Sequence, residues 1–138
     1  MFKKIPKKYL ESIYINEERT PSLYFHKSKI TRNFFWKRLE ICHDLIQKYV
    51  KDRSLVFDFG CGNGVFLPTL SDMFEKVLAA DIETRETQKI IEKFGLRNVE
   101  LQNRDLSVVD GSIDKADVIV ALDVLEHFKD FKNPIKNT

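Results

Sequence analysis

The sequence predicts an α/β protein built on a parallel sheet with flanking helices. Short apolar runs of strand length alternate with segments of helical periodicity between residues 55 and 123. The apolar runs carry few polar side chains, which is typical of strands covered on both faces. Three glycines at alternate positions follow the first of these runs directly. Alternation of strands and helices favours right-handed crossovers within a single sheet.

The composition of the chain excludes several classes of protein. Its 138 residues have the length of one small domain. Its 23 basic and 21 acidic side chains give a net charge of +2, which does not discriminate between classes of partner. No apolar run is long enough to span a membrane, and the two cysteines form no metal or disulfide motif. We therefore expect a cytoplasmic protein without a membrane partner. The four lysines among the first eight residues are interpreted as a solvated terminus in preference to a nucleic-acid footprint.

The N-terminal third of the chain is predicted to be helical. Apolar residues between positions 9 and 14 have the spacing of one face of a short helix, and Pro21 marks a loop after it. A longer helix is predicted over residues 31–50. Its apolar stripe consists of Phe35, Leu39, Cys42, Leu45, Ile46 and Tyr49. Phe34 and Trp36 fall outside that stripe. We expect residues 1–30 to form a helical and loop segment and residues 31–138 to form the ligand-binding domain.

Four strands are predicted in the rest of the chain. They lie at residues 55–59, 76–81, 98–101 and 116–123. The helix after the first strand is expected to begin near Gly64 or Val65, because Pro68 is tolerated only within a first helical turn. The helix after the second strand ends at Gly95, a residue type that commonly terminates helices.

The glycine-rich segment predicts a turn that a ligand approaches closely. Gly60, Gly62 and Gly64 follow the first strand, and Asp58 precedes them. In open parallel sheets, ligands bind beyond the carboxyl ends of the strands. Glycine there permits positive φ and leaves the backbone uncovered. The spacing differs from the G-x-G-x-x-G of dinucleotide sites, and the phosphate-binding G-x-x-x-x-G-K-[ST] motif is absent from the sequence.

Asp81 is the second acidic residue of this predicted site. It ends the second strand, 21 residues after Gly60, since 81 − 60 = 21. A carboxylate there can accept hydrogen bonds from both hydroxyls of a ribose. A lone acid in this place could also act as a helix N-cap, and Asp58 could serve only to bind backbone amides of the turn. The residues predict nucleoside recognition without naming the nucleoside.

Four motifs in their expected order resemble the class I S-adenosylmethionine-dependent methyltransferases. "DFGCGNG" matches the D/E-x-G-x-G-x-G signature of that family, and "AADI" resembles its ribose-binding acid. "NRDLSVV" resembles the segment whose acid meets the adenine amine. "DVIVALDVLEHFKD" is similar to the fourth strand and following turn of the ubiquinone/menaquinone-biosynthesis type, which methylates small molecules. The resemblance implies a Rossmann-like sheet, incomplete here, with strands ordered 3-2-1-4.

The resemblance also implies S-adenosylmethionine as the cofactor and assigns residues to it. The implied cofactor-binding positions are Asp58, Gly60, Cys61, Gly62, Gly64, Asp81, Ile82, Asp105, Leu106, Leu122 and Asp123. The methionine part meets Asp58 and the backbone of residues 60–64, whereas Asp81 holds the ribose. Ile82, Asp105 and Leu106 take the adenine. Leu122 and Asp123, at the end of strand four, line the pocket near the cofactor. Arg32 or Tyr24 is a candidate for the cofactor carboxylate.

The implied activity is methyl transfer to a small-molecule acceptor. His127 is the candidate general base, needed only where the acceptor loses a proton. Two alternatives remain: transfer to RNA or protein, slightly favoured by the lysine-rich first eight residues, and a binding module without turnover. Cys61 is interpreted as a small filler residue and not as a nucleophile.

Three residues at and after the end of the predicted fourth strand allow a second interpretation. Asp123, Glu126 and His127 have the spacing of one helical face, and such a set can bind a divalent metal. Many relatives carry the segment "LEH" without a metal, so we expect none. His26 and His43 are interpreted as surface or packing residues.

The chain departs from the family in its number of strands. Members of the family have seven strands, usually ordered 3-2-1-4-5-7-6, and four are recognisable here. We therefore expect the sequence to be a fragment of a longer protein. Strand four would lie at an exposed edge, where self-association with another copy is possible.

Overall fold

The computed structural model describes residues 1–14, 23–105 and 116–127. The chain forms two compact units, residues 1–50 and residues 51–138. The first contains α1 (Lys7–Tyr14), a short 3-10 turn (Leu23–Phe25) and α2 (Lys29–Tyr49). The second contains the sheet and its helices. None of the helices in these residues combines the length and hydropathy that crossing a bilayer requires.

The buried face of α2 differs from the predicted apolar stripe. Its buried residues are Trp36, Leu39, His43 and Ile46. Leu45 and Tyr49, which the stripe included, are 51% and 66% exposed. Trp36 is buried because the rings of Phe2 and Tyr24 pack edge-on against its indole, and its Nε1 donates to the Tyr24 carbonyl at 3.1 Å. The predicted stripe was therefore wrong in including Leu45 and Tyr49 and in leaving out Trp36.

The second unit confirms the predicted α/β fold and strand order. Its strands are β1 (Leu55–Phe59), β2 (Lys76–Asp81), β3 (Val99–Asn103) and β4 (Val118–Val120). All neighbours pair in parallel, in the order β3-β2-β1-β4. The first two strands form the core, because residues 56–59 and 77–80 are all buried. β4 is shorter than the predicted residues 116–123, and within the described ranges β1 is its only partner.

Two helices connect the strands of the second unit. α3 (Leu67–Met73) follows β1, and α4 (Arg85–Phe94) follows β2. Pro68 lies in the first turn of α3, as predicted, although the helix begins three residues later than Gly64. Gly95 ends α4 with a left-handed φ of +60°, which confirms the predicted stop.

Asn98 joins the end of α3 to the start of β3. Its Nδ2 donates to the carbonyls of Ser71 and Phe74, each at 2.9 Å. The hydroxyl of Ser71 donates to its Oδ1 at 2.5 Å. This side chain thus satisfies carbonyl groups that the end of a helix leaves without intrahelical donors.

Replacing Asn98 with alanine is expected to lower the free energy of unfolding by about 2 kcal/mol, because three hydrogen bonds are lost and two carbonyls lose a donor. Urea denaturation followed by circular dichroism measures the change. Asn33→Ala, at an exposed position of α2, is the matched control and should change stability by less than about 0.5 kcal/mol. Equal unfolding midpoints for parent and Asn98→Ala would contradict the prediction.

Candidate functional site

The candidate site lies at the edge of the sheet where the parallel strands end. The segments that leave β1, β2, β3 and β4 all begin there, since parallel strands share one carboxyl edge. The backbone ties two of them together: the N–H of Arg104, after β3, donates to the carbonyl of Asp81 at 3.0 Å. Residues distant in sequence therefore meet at this edge.

The glycine turn takes a conformation that other residues rarely adopt. Gly60, Gly62 and Gly64 have φ values of +77°, +51° and +72°. The N–H groups of Gly60 and Cys61 both donate to the carbonyl of Ala80, at 2.9 and 3.1 Å. The turn is thereby anchored to β2, and its three left-handed residues explain the three glycines.

The surroundings of the three glycines differ. A Cβ on Gly60 would lie 2.4 Å from Cγ2 of Val124, and one on Gly64 would lie 2.8 Å from Cγ2 of Thr87. A Cβ on Gly62 would have nothing within 4 Å. Gly60 and Gly64 therefore serve close packing, whereas Gly62 borders open space. Sequence reasoning missed Val124 and Thr87, and no local pattern marks either of them.

Asp81 connects β2 to the glycine turn. Its Oδ2 accepts from the N–H of Gly62 at 2.9 Å, and its Oδ1 accepts from the N–H of Glu83 at 3.1 Å. The N-cap position of α4 belongs to Thr84, so the alternative of an N-cap role for Asp81 was wrong. The side chain is half-buried, and each carboxylate oxygen keeps a second acceptor site.

Asp58 is a buried carboxylate near the end of β1, just before the glycine turn. It is 5% exposed, and no donor in the described part of the chain bonds to it. The N–H groups of Gly60 and Cys61, which follow Asp58 in the turn, donate to the Ala80 carbonyl instead. The alternative of a purely amide-binding role was therefore wrong. Burial, assisted by the negative charge of Asp81, raises the pKa of Asp58 to about 7.

Cys61 has the character of an unreactive thiol. Burial raises the pKa of its thiol well above the ordinary value, and the charges of Asp58 and Asp81 raise it further. Because the thiolate is the nucleophilic form, this environment disfavours a covalent role. The expectation of a filler residue agrees with this chemistry.

Ile82 and Asp105 are exposed residues at the carboxyl edge of the sheet, directly after β2 and just beyond β3. Ile82, a large aliphatic residue directly after Asp81, is 62% exposed. Asn103 holds its segment by donating to the Ile82 carbonyl at 3.4 Å and to the Thr84 hydroxyl at 3.2 Å. Asp105 is exposed just beyond β3. Leu106 was assigned to the same part of the site and lies outside the described residues.

The segment after β4 holds the remaining predicted residues. Leu122 is half-buried, and Asp123 is exposed with a left-handed φ of +55°. Glu126 and His127 are exposed in a 3-10 turn, Leu125–His127. Over residues 1–14, 23–105 and 116–127, no three acidic, histidine or cysteine side chains are placed to hold a metal ion.

The two candidates for the cofactor carboxylate belong to the first unit. The guanidinium of Arg32 donates to the carbonyls of His26 and Lys27, at 2.5 and 2.9 Å. The carbonyl of Tyr24 accepts from the Trp36 indole. Both residues thus have partners within their own unit.

Comparison with known proteins identifies the family. A family model described as a methyltransferase domain matches residues 34–138. The chain belongs to the methyltransferase domain family. Among relatives of this methyltransferase domain, ribosomal protein L11 methyltransferase from Caldicellulosiruptor saccharolyticus is 31% identical over 101 residues. That match covers 70% of this chain and 33% of the relative. The chain thus spans about a third of the length of this relative.

Solved structures agree with the fold of the methyltransferase domain. N-methyltransferase NodS from Bradyrhizobium japonicum, in complex with S-adenosyl-L-homocysteine, has a TM-score of 0.62 and 17% identity. The alignment covers 95% of this chain and 64% of NodS. An rRNA methylase from Streptococcus thermophilus has a TM-score of 0.53 at 22% identity, covering 68% and 57% of the two chains. The ubiquinone-biosynthesis subtype is not confirmed by these relatives.

Proposed function

We propose that this methyltransferase domain binds S-adenosylmethionine and supports methyl transfer. The observation that carries the proposal is the hydrogen bond between Asp81 and the glycine turn. The Asp81 carboxylate accepts from the N–H of Gly62 at 2.9 Å, and Gly62 borders open space. This hydrogen bond holds the proposed ribose-binding carboxylate of Asp81 directly beside the exposed backbone of the glycine turn. Membership of the methyltransferase domain family supports the same conclusion.

The chemistry of the residues fits each part of the cofactor. Asp81 keeps free acceptor sites for the two ribose hydroxyls. Ile82 offers an exposed aliphatic surface, 62% accessible, against which an adenine ring can pack. The buried carboxylate of Asp58 lacks a donor in the described part of the chain and suits the positively charged methionine end.

The remaining assignments complete the proposed site. Asp105 and Leu106 take the adenine edge, the backbone of Cys61 lies along the methionine part, and Leu122 with Asp123 forms a wall of the pocket. The left-handed φ of Asp123 supports a site there, because strained residues concentrate at functional positions.

The residues of the chain contribute binding and orientation to the proposed reaction. Bound S-adenosylmethionine supplies a methyl group on a positively charged sulfur. Asp58 stabilises positive charge near the turn, and Asp81 with the glycine backbone fixes the direction in which the cofactor lies. Such alignment supplies much of the rate gain when the donor is already reactive. His127 would take the proton of an acceptor that must lose one.

A small molecule is the proposed acceptor, and a protein is the second candidate. The small-molecule proposal comes from the resemblance of residues 117–130 to that type. The protein candidate is favoured by relatives named for ribosomal protein L11, such as that of Caldicellulosiruptor saccharolyticus. RNA as acceptor, or a binding module without turnover, is the remaining alternative. A cytoplasmic location and self-association along the edge of β4 also stay predictions.

Calorimetric titration of the 138-residue chain tests the proposed cofactor. We expect micromolar binding of S-adenosylmethionine and S-adenosylhomocysteine and none of NAD, because the glycine spacing differs from the dinucleotide pattern. A folded chain that binds NAD alone would overturn the proposal. Transfer of labelled methyl groups to small molecules, to ribosomal protein L11 or to RNA then distinguishes the acceptors, and binding without transfer indicates a module.

A further inference from the structure

Thr87 is a buried polar residue to which the proposed site assigns no role. It lies in the first turn of α4 and is 0% exposed. Its hydroxyl donates to the carbonyl oxygen of Gly62 at 2.5 Å. We propose that Thr87 is a positioning residue, which holds the glycine turn in the conformation that the cofactor requires. This inference rests on the proposed function.

The contact gives Gly62 a partner on each of its backbone groups. Its N–H donates to Oδ2 of Asp81 at 2.9 Å, and its carbonyl accepts from Thr87. Both partners belong to the segment that runs from the end of β2 into α4. The exposed glycine and the proposed ribose acid are therefore held by one continuous piece of chain, so their relative position is set before any ligand binds.

The methyl group of Thr87 makes a second contact with the turn. A Cβ on Gly64 would lie 2.8 Å from Cγ2 of Thr87 and 3.1 Å from its Cα. Gly64 therefore packs directly on this residue. The hydroxyl acts on one glycine and the methyl on another, a combination that threonine provides. Serine keeps the hydroxyl, and valine keeps the shape without it, so the two contacts can be separated.

Loss of the hydroxyl is expected to weaken cofactor binding. The Gly62 carbonyl would lose its donor, and the glycine turn would sample more conformations in the free protein. Part of the binding free energy would then be used to order the turn. We expect Thr87→Val to raise the Kd for S-adenosylhomocysteine about tenfold, which corresponds to ~1.4 kcal/mol. Thr87→Ser should bind within about twofold of the parent, because the donor is kept.

Two measurements on the full chain test the inference. Calorimetry gives the Kd of the parent and both variants. Amide hydrogen exchange without cofactor reports the turn itself: Thr87→Val should accelerate exchange at Gly62, and Thr87→Ser should not. Asn98→Ala is the control for general destabilisation. It lies before β3, at the sheet edge opposite the turn, and should alter neither the Kd of the folded protein nor exchange at Gly62.

The outcomes separate this inference from the proposed function. A parent that binds no S-adenosylhomocysteine contradicts the proposed cofactor, and exchange at Gly62 then decides whether Thr87 holds the turn. A parent that binds, with Thr87→Val equal to it in both Kd and exchange, overturns the positioning role. Should Thr87→Val fail to fold, Thr87→Ala compared with Thr87→Ser removes the same hydroxyl, and equal values for that pair overturn it as well.

Discussion

Replacing Asp81 with asparagine is expected to weaken S-adenosylhomocysteine binding about a hundredfold. The carboxylate would accept both ribose hydroxyls while it already holds the N–H groups of Gly62 and Glu83. The NH2 group that replaces one carboxylate oxygen is a donor and cannot accept the bonds of that oxygen, whereas the remaining carbonyl oxygen still accepts. Hydrogen bonds to a charged partner contribute ~1.5–3 kcal/mol each, so the loss of one or two accounts for the factor.

Calorimetric titration of the variant measures this effect. Glu83→Gln is the matched control, because it removes one negative charge from an exposed residue two positions away. We expect that control to bind within about threefold of the parent. Equal weakening by the two variants would mean that general charge matters and not the Asp81 contact. Parent-like binding by Asp81→Asn would remove Asp81 from the site.

Replacing Asp58 with asparagine is expected to stabilise the protein at alkaline pH. Burial raises the pKa of this carboxyl from an ordinary value of 3.8 to about 7 in the folded chain. Between those values the folded state holds a proton that the unfolded state has released. The free energy of unfolding of the parent therefore falls as the pH rises from about 4 to about 7. Above pH 7, the ionised Asp58 lowers the free energy of unfolding by ~4 kcal/mol at most.

Urea denaturation of parent and variant at several pH values checks this expectation. The stabilities should coincide near pH 4, where Asp58 is protonated, and Asp58→Asn should be the more stable protein at pH 8. Asp72→Asn, at an exposed position of α3, should follow the parent at every pH. A constant difference between parent and Asp58→Asn from pH 4 to pH 8 would show that the carboxyl ionises normally. Retention of a costly buried charge is consistent with a functional role.

The fold was predictable because its signals are local. β1, β2 and β4 are built on short apolar runs, and Gly95 ends α4 where a left-handed residue is required. The order of strands followed from the alternation of strands and helices and from the family resemblance. Local spacing was insufficient for α2, where Trp36 is buried and Leu45 is exposed. The difference arises because Phe2 and Tyr24 lie beside Trp36, and their positions depend on how separate segments pack.

The candidate site was predictable only in part, for a similar reason. Glycine spacing and the distance to Asp81 indicated the turn and its acid, since both follow from how strands end. The contact between Thr87 and Gly62 spans 25 residues, and no spacing rule marks it. The packing of Val124 on Gly60 likewise joins the ends of two strands that are distant in sequence.

By itself, the sequence determined the parallel sheet, the left-handed turn after β1 and the family to which the chain belongs. These depend on residue types whose backbone preferences and periodicity act over a few positions. The tertiary structure alone decided that Asp58 is buried without a donor in the described part of the chain, that Asp81 holds the N–H of Gly62, and that Thr87 holds its carbonyl. Burial and hydrogen bonding depend on which distant segments meet, and only folding brings those segments together.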